Sequence, residues 1–424
     1  MKKLYTLVML LAAAVQAHAA WDGTSAPWTA GDGTAESPYL IENEQHLAYL
    51  QSTVAEGETY AGKFFALTAD LDMSGDAKKV FSPIGKFDDF YIDSEYYRES
   101  LVFEGTFDGD YHTIDNLYIS YYDVEELGGV GLFAVGRGST EIKNLKLGAN
   151  VVIDAPDSYS VGAVIGYCDG SKVTNCSMAG TVNGGGGEVG GIVGTAQPGT
   201  YLDGCVCTGV INAHTSCGGI VGYLPDSEVR NCFSSAELNC PGAYQVGGIG
   251  GWLYESTITN CVAIGKVTAN DGSSWMPGKS PVCGELEEST AANCYYVAAL
   301  TGCDPVVAQA GVKAVTEAEL KSAGILEALN TDDAWAAGSD GYPVPAWTVS
   351  AQSAIATPDA IRPTIGVAGG AIAITACGQA VAIYDLSGRQ VYSNPGAANL
   401  AFTPASRGIY LVRVGANAPV KIAL

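Results

Sequence analysis

Val189-Gly-Gly-Ile-Val-Gly194 returns as Cys217-Gly-Gly-Ile-Val-Gly222, and the same element stands at Val161-Gly-Ala-Val-Ile-Gly166 and Val246-Gly-Gly-Ile-Gly-Gly251. The four starts are 28, 28 and 29 residues apart. Each is followed by a second block, Val173-Thr-Asn-Cys176, Leu202-Asp-Gly-Cys205, Val229-Arg-Asn-Cys232 and Ile258-Thr-Asn-Cys261. Weaker copies flank the series: Gly128-Gly-Val-Gly-Leu-Phe133 with Ile142-Lys-Asn-Leu145 before it, and Val282-Cys-Gly284 with Ala292-Asn-Cys294 after it. Six coils are thus visible.

A unit of this length, with three short β-like runs separated by Gly, Asn and Asp, reads as one turn of a β-solenoid. A single coil cannot bury its own apolar side. Stacking at about 4.8 Å per rung hides Val, Ile and Leu in a shared interior and pairs the backbone between neighbours. A propeller blade needs roughly 40 to 50 residues and four strands, more than the period supplies. The expected fold is all-β, a right-handed parallel β-helix with short helical caps and a small C-terminal β-sandwich.

The repeat also predicts two columns of side chains. Asn144, Asn175, Asn231, Asn260 and Asn293 fall at a bend, where Asn tolerates a left-handed backbone and can stack its amide on the next coil. Beside them Cys176, Cys205, Cys232, Cys261 and Cys294 are expected to point inward as small apolar groups. In-register neighbours rarely offer the torsion a disulfide requires, so a ladder of free thiols is preferred to a chain of bridges. Cys168, Cys207, Cys217, Cys240, Cys283 and Cys303 are less regular and leave room for one or two local bridges.

Composition agrees with this class. Gly contributes 54 of 424 residues and charged residues only 16%, which suits tight turns and short strands rather than solvated helices. The net charge of -24 repels phosphate backbones and anionic lipid, so no nucleic-acid partner is expected. Lys2 and Lys3, the apolar run Leu7 to Val15 and the small-x-small pattern Ala17-His18-Ala19 read as a secretory signal peptide. No later stretch approaches the roughly 20 apolar residues of a membrane span. The expected segmentation is 1–20 signal peptide, 21–58 N-terminal cap with a helix near 43–55, and 59–310 repeats. It continues with 311–349 as a C-terminal cap with a helix over 316–330, 350–363 as linker and 364–424 as the sandwich.

The repeats resemble the GLUG-repeat proteins, through Gly131-Leu-Phe133 and the Gly-Ile-Val-Gly runs at 191–194 and 219–222. Pro83-Ile-Gly85, Phe103-Glu-Gly-Thr-Phe-Asp-Gly109 and His112-Thr-Ile-Asp-Asn-Leu117 resemble the lead-in to such repeats, and Trp335 through Gly341-Tyr-Pro-Val-Pro-Ala-Trp347 resembles their closing segment. The resemblance implies a surface or secreted scaffold and no one defined activity. Such repeats also occur in immunoglobulin A peptidases, but His18, His46, His112 and His214 form no His-Glu-x-x-His zinc motif. Val381 through Val391 with Arg407-Gly-Ile-Tyr-Leu-Val-Arg-Val414 resembles the C-terminal sorting domains of type IX secretion cargo. That implies a Gram-negative source, an outer-membrane or secreted location, and contact with secretion machinery. The sandwich departs from that pattern in lacking a Pro-Asn-Pro opening and a basic tail.

Four groups of residues carry candidate chemistry. Asp70-x-Asp72-x-Ser74-Gly75-Asp76 opens like a calcium loop but has Phe81 where a bidentate Glu belongs, leaving at most a loose calcium contact and no expected cofactor. Asp108, Asp110 and Asp115 beside His112 resemble general acid and base groups, yet read more simply as turn and corner residues. Cys205-Val-Cys207 puts two thiols on one strand face, which the ladder explains without metal. Tyr91, Asp93, Tyr96 and Tyr97 in an insertion, with Trp252, Tyr254 and Trp275 on an outer face, are the expected binding residues for a glycan or a host or matrix protein. The leading expectation is a non-enzymatic adhesion or binding scaffold; the alternative is a β-helix enzyme acting on neutral polysaccharide.

Overall fold

The computed structural model describes residues 21–74, 79–92, 95–121, 128–272, 278–304 and 308–349, together with the strands and short turns between 364 and 423. These fall into two compact units, one reaching to residue 351 and one beginning at residue 352.

The first unit is a parallel β-solenoid of about eight turns. Each complete coil carries five short strands rather than the three read from sequence, as in Ser160–Gly162, Ile165–Asp169, Lys172–Thr174, Ser177–Met178 and Thr181–Gly184. Strands of two to five residues are too short to display a clear alternation, so the extra corners are silent in the sequence. Taken in that order, the strands stack into five parallel faces. The first, second and fifth faces are six strands deep, and the third and fourth are nine. The third face runs from Tyr39–Ile41 to Thr290–Ala292 and the fourth from Leu71–Asp72 to Val312–Ala314.

Stacking therefore starts at Tyr39, within the segment read as a cap. The cap helix, α1 (Glu44–Ala55), follows this first strand, opened by Asn43, whose side chain accepts from His46 N. At the other end the expected single helix is two, α2 (Glu317–Leu320) with a Thr316–Glu319 capping box and α3 (Ala323–Leu329), because Ser322 caps a new start. A short antiparallel pair, Trp335–Ala337 with Pro343–Pro345, completes a strap over residues 315–349.

The interior is one continuous column of Val, Ile, Leu, Phe and Cys, nearly all fully buried. Full burial of such a side chain contributes roughly 1.5 to 3 kcal/mol. A second cluster lies outside the fourth face, where Val206, Phe233 and Val262 are covered by Leu320, Leu329, Trp335 and Trp347 of the strap.

Asparagine corners hold the coils in register. Asn116, Asn144, Asn175, Asn231, Asn260 and Asn293 all have φ between 52° and 54°. Asn175 Nδ2 donates to Asn144 Oδ1 at 3.2 Å, Asn260 Nδ2 to Asn231 Oδ1 at 3.3 Å, and Asn293 Nδ2 to Asn260 Oδ1 at 2.7 Å. Gly204 takes the corner in the one coil whose block lacks Asn, at φ 64°. The five ladder thiols Cys176, Cys205, Cys232, Cys261 and Cys294 lie wholly inside. The eleven cysteines from Cys168 to Cys303 are free, with no disulfide among the described residues.

The second unit consists of two antiparallel sheets, of three and four strands. They share a core, in which Ile372 and Phe402 of one sheet pack with Val381, Ile383, Tyr410 and Val412 of the other.

Candidate functional site

The Gly elbow between the first and second faces makes the solenoid's outer surface concave. At Gly190 an added Cβ would lie 1.9 Å from Val193 O, and at Gly218 2.0 Å from Val221 O, so only Gly allows the chain to fold this sharply. Outward side chains from the two faces consequently meet. Ser160 Oγ and Thr195 Oγ1 are 2.7 Å apart, Thr195 Oγ1 donates to Glu188 Oε2 at 3.4 Å, and Gln245 Nε2 donates to Glu285 Oε2. Ser160 and Thr195 are almost fully buried although they face away from the core, which marks a trough along the solenoid.

Aromatic rings line it. Tyr167, Thr195, Tyr223, Trp252 and Glu285 are register partners across successive rungs of the second face. Tyr223 and Trp252 pack with ring centroids 4.8 Å apart and 42° between planes. Trp252 Nε1 donates to Glu287 Oε2 at 3.2 Å. Tyr159, one of the few large side chains that is largely exposed at 44%, has its hydroxyl raised by the charge of Glu188 on the neighbouring rung. Burial holds the Glu188 carboxyl above its ordinary range, against the opposing hydrogen bond from Thr195. The Tyr223 hydroxyl is likewise raised by burial.

The insertion that carries Tyr91, Tyr96 and Tyr97 arises from the same face. Ile84 bridges Phe133 and Phe103 bridges Gly136, so the chain leaves and re-enters at the top of the second face. Between them Lys86–Ile92 and Glu95–Leu101 form a hairpin in which Tyr91 pairs with Tyr96 and Phe90 with Tyr97. Tyr254 sits two residues beyond Trp252 on its strand, its hydroxyl bonded to Glu255 at 3.2 Å. Asp93 and Trp275 lie outside the described residues. Sequence reasoning missed Tyr159, Glu188 and Tyr223; their signal was the spacing of 28 or 29 residues that aligns Tyr223 with Trp252 and Glu188 with Ser160.

The other candidate groups are occupied by structural bonds. Asp70 Oδ1 accepts from Thr113 N at 2.8 Å and lies 3.2 Å from His112 Nδ1; this contact keeps the Asp70 carboxyl below its usual range. Asp72 Oδ1 accepts from Ser74 N and Asn116 Nδ2, each at 2.9 Å. Gly75 and Asp76 are outside the described residues. Asp108 Oδ1 accepts from Asp110 N and Asn144 Nδ2, and Asp115 from Asn150 N. Cys205 and Cys207 both face the core. Among the described residues no group of three or more His, Cys, Asp or Glu side chains is arranged to hold a metal ion.

Residues 242–268 match the sequence model of the GLUG motif, a stretch that contains Val246-Gly-Gly-Ile-Gly-Gly251 and the Asn260 corner. The chain is 32% identical over 191 residues, 45% of its length, to Halomucin of Haloquadratum walsbyi. It is 28% identical over 150 residues, 35% of its length, to a "Putative Gly-rich membrane protein" of Evansella cellulosilytica. These matches span only 2% and 15% of the two relatives. No solved structure matches. Among the described residues no helix is long and apolar enough to cross a membrane.

Proposed function

We propose that the chain is an exported, non-enzymatic surface or secreted scaffold that binds neutral glycan chains in the trough between its first and second faces. The observation that carries this reading is the combination of stacked Tyr223 and Trp252 rings with hydroxyl, amide and carboxyl groups in a concave strip. Aromatic faces pack on the C–H side of a sugar ring while the polar groups take its hydroxyls. Glu188, Glu285 and Glu287 along the strip, and the overall charge of -24, disfavour polyanionic glycans. The GLUG match and the names of the two relatives support a surface or secreted repeat protein. We assign the C-terminal sandwich to the export step, with secretion machinery of a Gram-negative outer membrane as its partner; mass spectrometry of the mature C-terminus tests this.

The decisive experiment is a neutral-glycan array with the full chain and a Tyr223→Ala/Trp252→Ala variant. Retained glycan that disappears in the variant, with its β-rich circular dichroism unchanged, supports the assignment. Absence of any bound glycan, or binding that survives the variant, refutes it. A plate coated with matrix protein, run alongside, identifies a protein ligand instead.

A polysaccharide-active reading rests on one observation, the raised carboxyl of Glu188, a property shared with general acids of glycosidases. New reducing ends released from a neutral polysaccharide and abolished by Glu188→Gln would establish it in place of the scaffold.

A further inference from the structure

The asparagine ladder is interrupted once, at Gly204, and there the flank of the solenoid opens into a cleft of about 340 Å³. Asp203, Gly204 and Arg230 form its solenoid side, and Asp332, Asp333 and Trp347 of the strap form the other. The space beside Gly204 is taken up by the side chain of Asn175. The position where a Cβ of residue 204 would stand is 2.5 Å from Asn175 Oδ1 and 3.6 Å from Trp347 Nε1. The strap is fixed beside this position, because Trp347 Nε1 donates to Gly204 O at 2.7 Å and its ring stacks on Tyr111 at 5.7 Å.

The polar groups of the cleft are unequally satisfied. Asp203 is saturated, accepting from Tyr201 Oη, Arg230 Nη2 and Asn231 Nδ2, each at 2.9 Å. Arg230 Nε is buried with no hydrogen-bond partner, a state that buried donors rarely keep. Across the cleft, the Asp332 and Asp333 carboxylates have no hydrogen-bond or ion-pair partner among the described residues. Asp333 is also held at φ 60°, the left-handed region that costs a non-glycine residue energy and often marks a functional position.

We propose that this cleft binds one neutral sugar residue. A ligand that fits must offer donors to Asp332 and Asp333, an acceptor to Arg230 and an apolar surface to the Trp347 wall. A hydroxylated ring offers all three. An anion would face two uncompensated carboxylates, and the Arg230 guanidinium is already paired with Asp203 at 2.9 Å, so a charged control decides between a sugar and a cation. The volume sits at the lower end of the roughly 300 to 1,000 Å³ of small-molecule sites, which suits a single ring and not a chain. The site is separate from the trough on the second face and does not depend on it.

Saturation-transfer NMR on the full chain tests the proposal with glucose, galactose, mannose and N-acetylglucosamine, and with methylammonium and acetate as charged controls. At least one sugar is expected to give a saturable signal. Gly204→Asn adds an amide at a backbone angle Asn already adopts in six other coils, and because its Cβ would stand 2.5 Å from Asn175 Oδ1, that side chain must shift; with the fold checked by circular dichroism, the variant should abolish the signal. Should that variant fold poorly, Asp332→Asn/Asp333→Asn on the exposed strap should weaken the same sugar about tenfold, as loss of charged hydrogen bonds implies. The titrations are run in the Tyr223→Ala/Trp252→Ala background, so that a sugar signal arising in the trough is not counted. No saturable sugar signal, a signal that survives both cleft variants, or saturable binding of only a charged control overturns the proposal.

Discussion

Replacing Asn231 probes what holds the coils in register. Its side chain is 2% exposed and takes part in three bonds. Nδ2 donates to Asp203 Oδ1 at 2.9 Å, and Oδ1 accepts from Asn260 Nδ2 and from Trp335 Nε1, each at 3.3 Å. At about 1 kcal/mol net per bond, their loss costs about 3 kcal/mol. The backbone adds a separate contribution, since φ is 53° and Ala in that region costs about 1 kcal/mol more than Gly. Asn231→Ala is therefore expected to lose about 4 kcal/mol and Asn231→Gly about 3 kcal/mol. Equilibrium urea unfolding measures both, followed by circular dichroism and tryptophan fluorescence together. Coincident curves are needed for a two-state free energy, and a fluorescence change that comes first would report release of Trp335 and the strap. Equal losses for Ala and Gly would refute the left-handed-corner argument. Losses below about 1 kcal/mol for both would refute the ladder as a source of stability.

Three further outcomes are expected. Burial pushes the thiols of Cys168, Cys207 and Cys283 up to about 12, so iodoacetamide at pH 8 should leave the ten buried cysteines from Cys168 to Cys294 unlabelled until urea is added; stoichiometric native labelling would contradict the packed thiol ladder. Glu188 is raised by burial, so the folded state holds its proton more tightly than the unfolded state. Its stabilising contribution is complete below the unfolded value of about 4.3 and declines as pH rises through the folded value. Glu188→Gln should accordingly gain stability over the parent at pH 7 and lose that advantage near pH 4 in parallel urea titrations; an advantage that does not vary with pH would show that proton linkage is not its source. Ser256 Oγ donates to Leu224 O and Tyr254 O, each at 2.9 Å, and accepts from Ser227 N at 3.0 Å. Ser256→Ala should cost about 2 kcal/mol in the same assay, and a neutral effect would remove hydroxyls from the list of forces that align the coils.

What the sequence disclosed tracks how unusual each residue's backbone is. A corner at φ near 53° selects Asn and an elbow with no room for Cβ selects Gly, so both recur visibly and give away the period. Other ladders use residues that are common anywhere. Asn183 Nδ2 donates to Asp154 Oδ1 at 3.0 Å and Asn212 Nδ2 to Asn183 Oδ1 at 2.8 Å on the fifth face, yet a polar residue on a short outward strand reads as ordinary solvated surface. Ser227, Ser256 and Ser289 form another column, each hydroxyl capping the coil before it. Ser or Thr stands four residues before every corner from Asn144 to Asn293, a signal that was present and unread. The first rungs were hidden for a different reason, because α1 and the hairpin lengthen the early coils past the period. The trough was half legible: Trp252 and Tyr254 stand out as aromatic residues among small ones, whereas Glu188 and Tyr159 matter only because the elbow folds two faces together.

The remaining faces help explain why binding of an extended glycan chain is assigned to the second face. Outside the fourth face, Val206, Phe233 and Val262 are already buried under the strap. On the third face Asp203 accepts from Tyr201, Arg230 and Asn231, each at 2.9 Å, within the coil stack. On the fifth face the amides of Asn183 and Asn212 are bonded rung to rung. Among the described residues the second face combines the Tyr223 and Trp252 rings, polar groups and a concave profile. Its rings also stand on paired strands whose spacing the backbone fixes at about 4.8 Å, so they are ordered before any ligand arrives. A ligand therefore meets a surface that needs little further ordering, which lowers the entropic cost of association. That pre-arrangement is what a stacked repeat can offer to an extended chain of repeating units, and it places the hairpin of Lys86–Ile92 and Glu95–Leu101 at the end of the same strip.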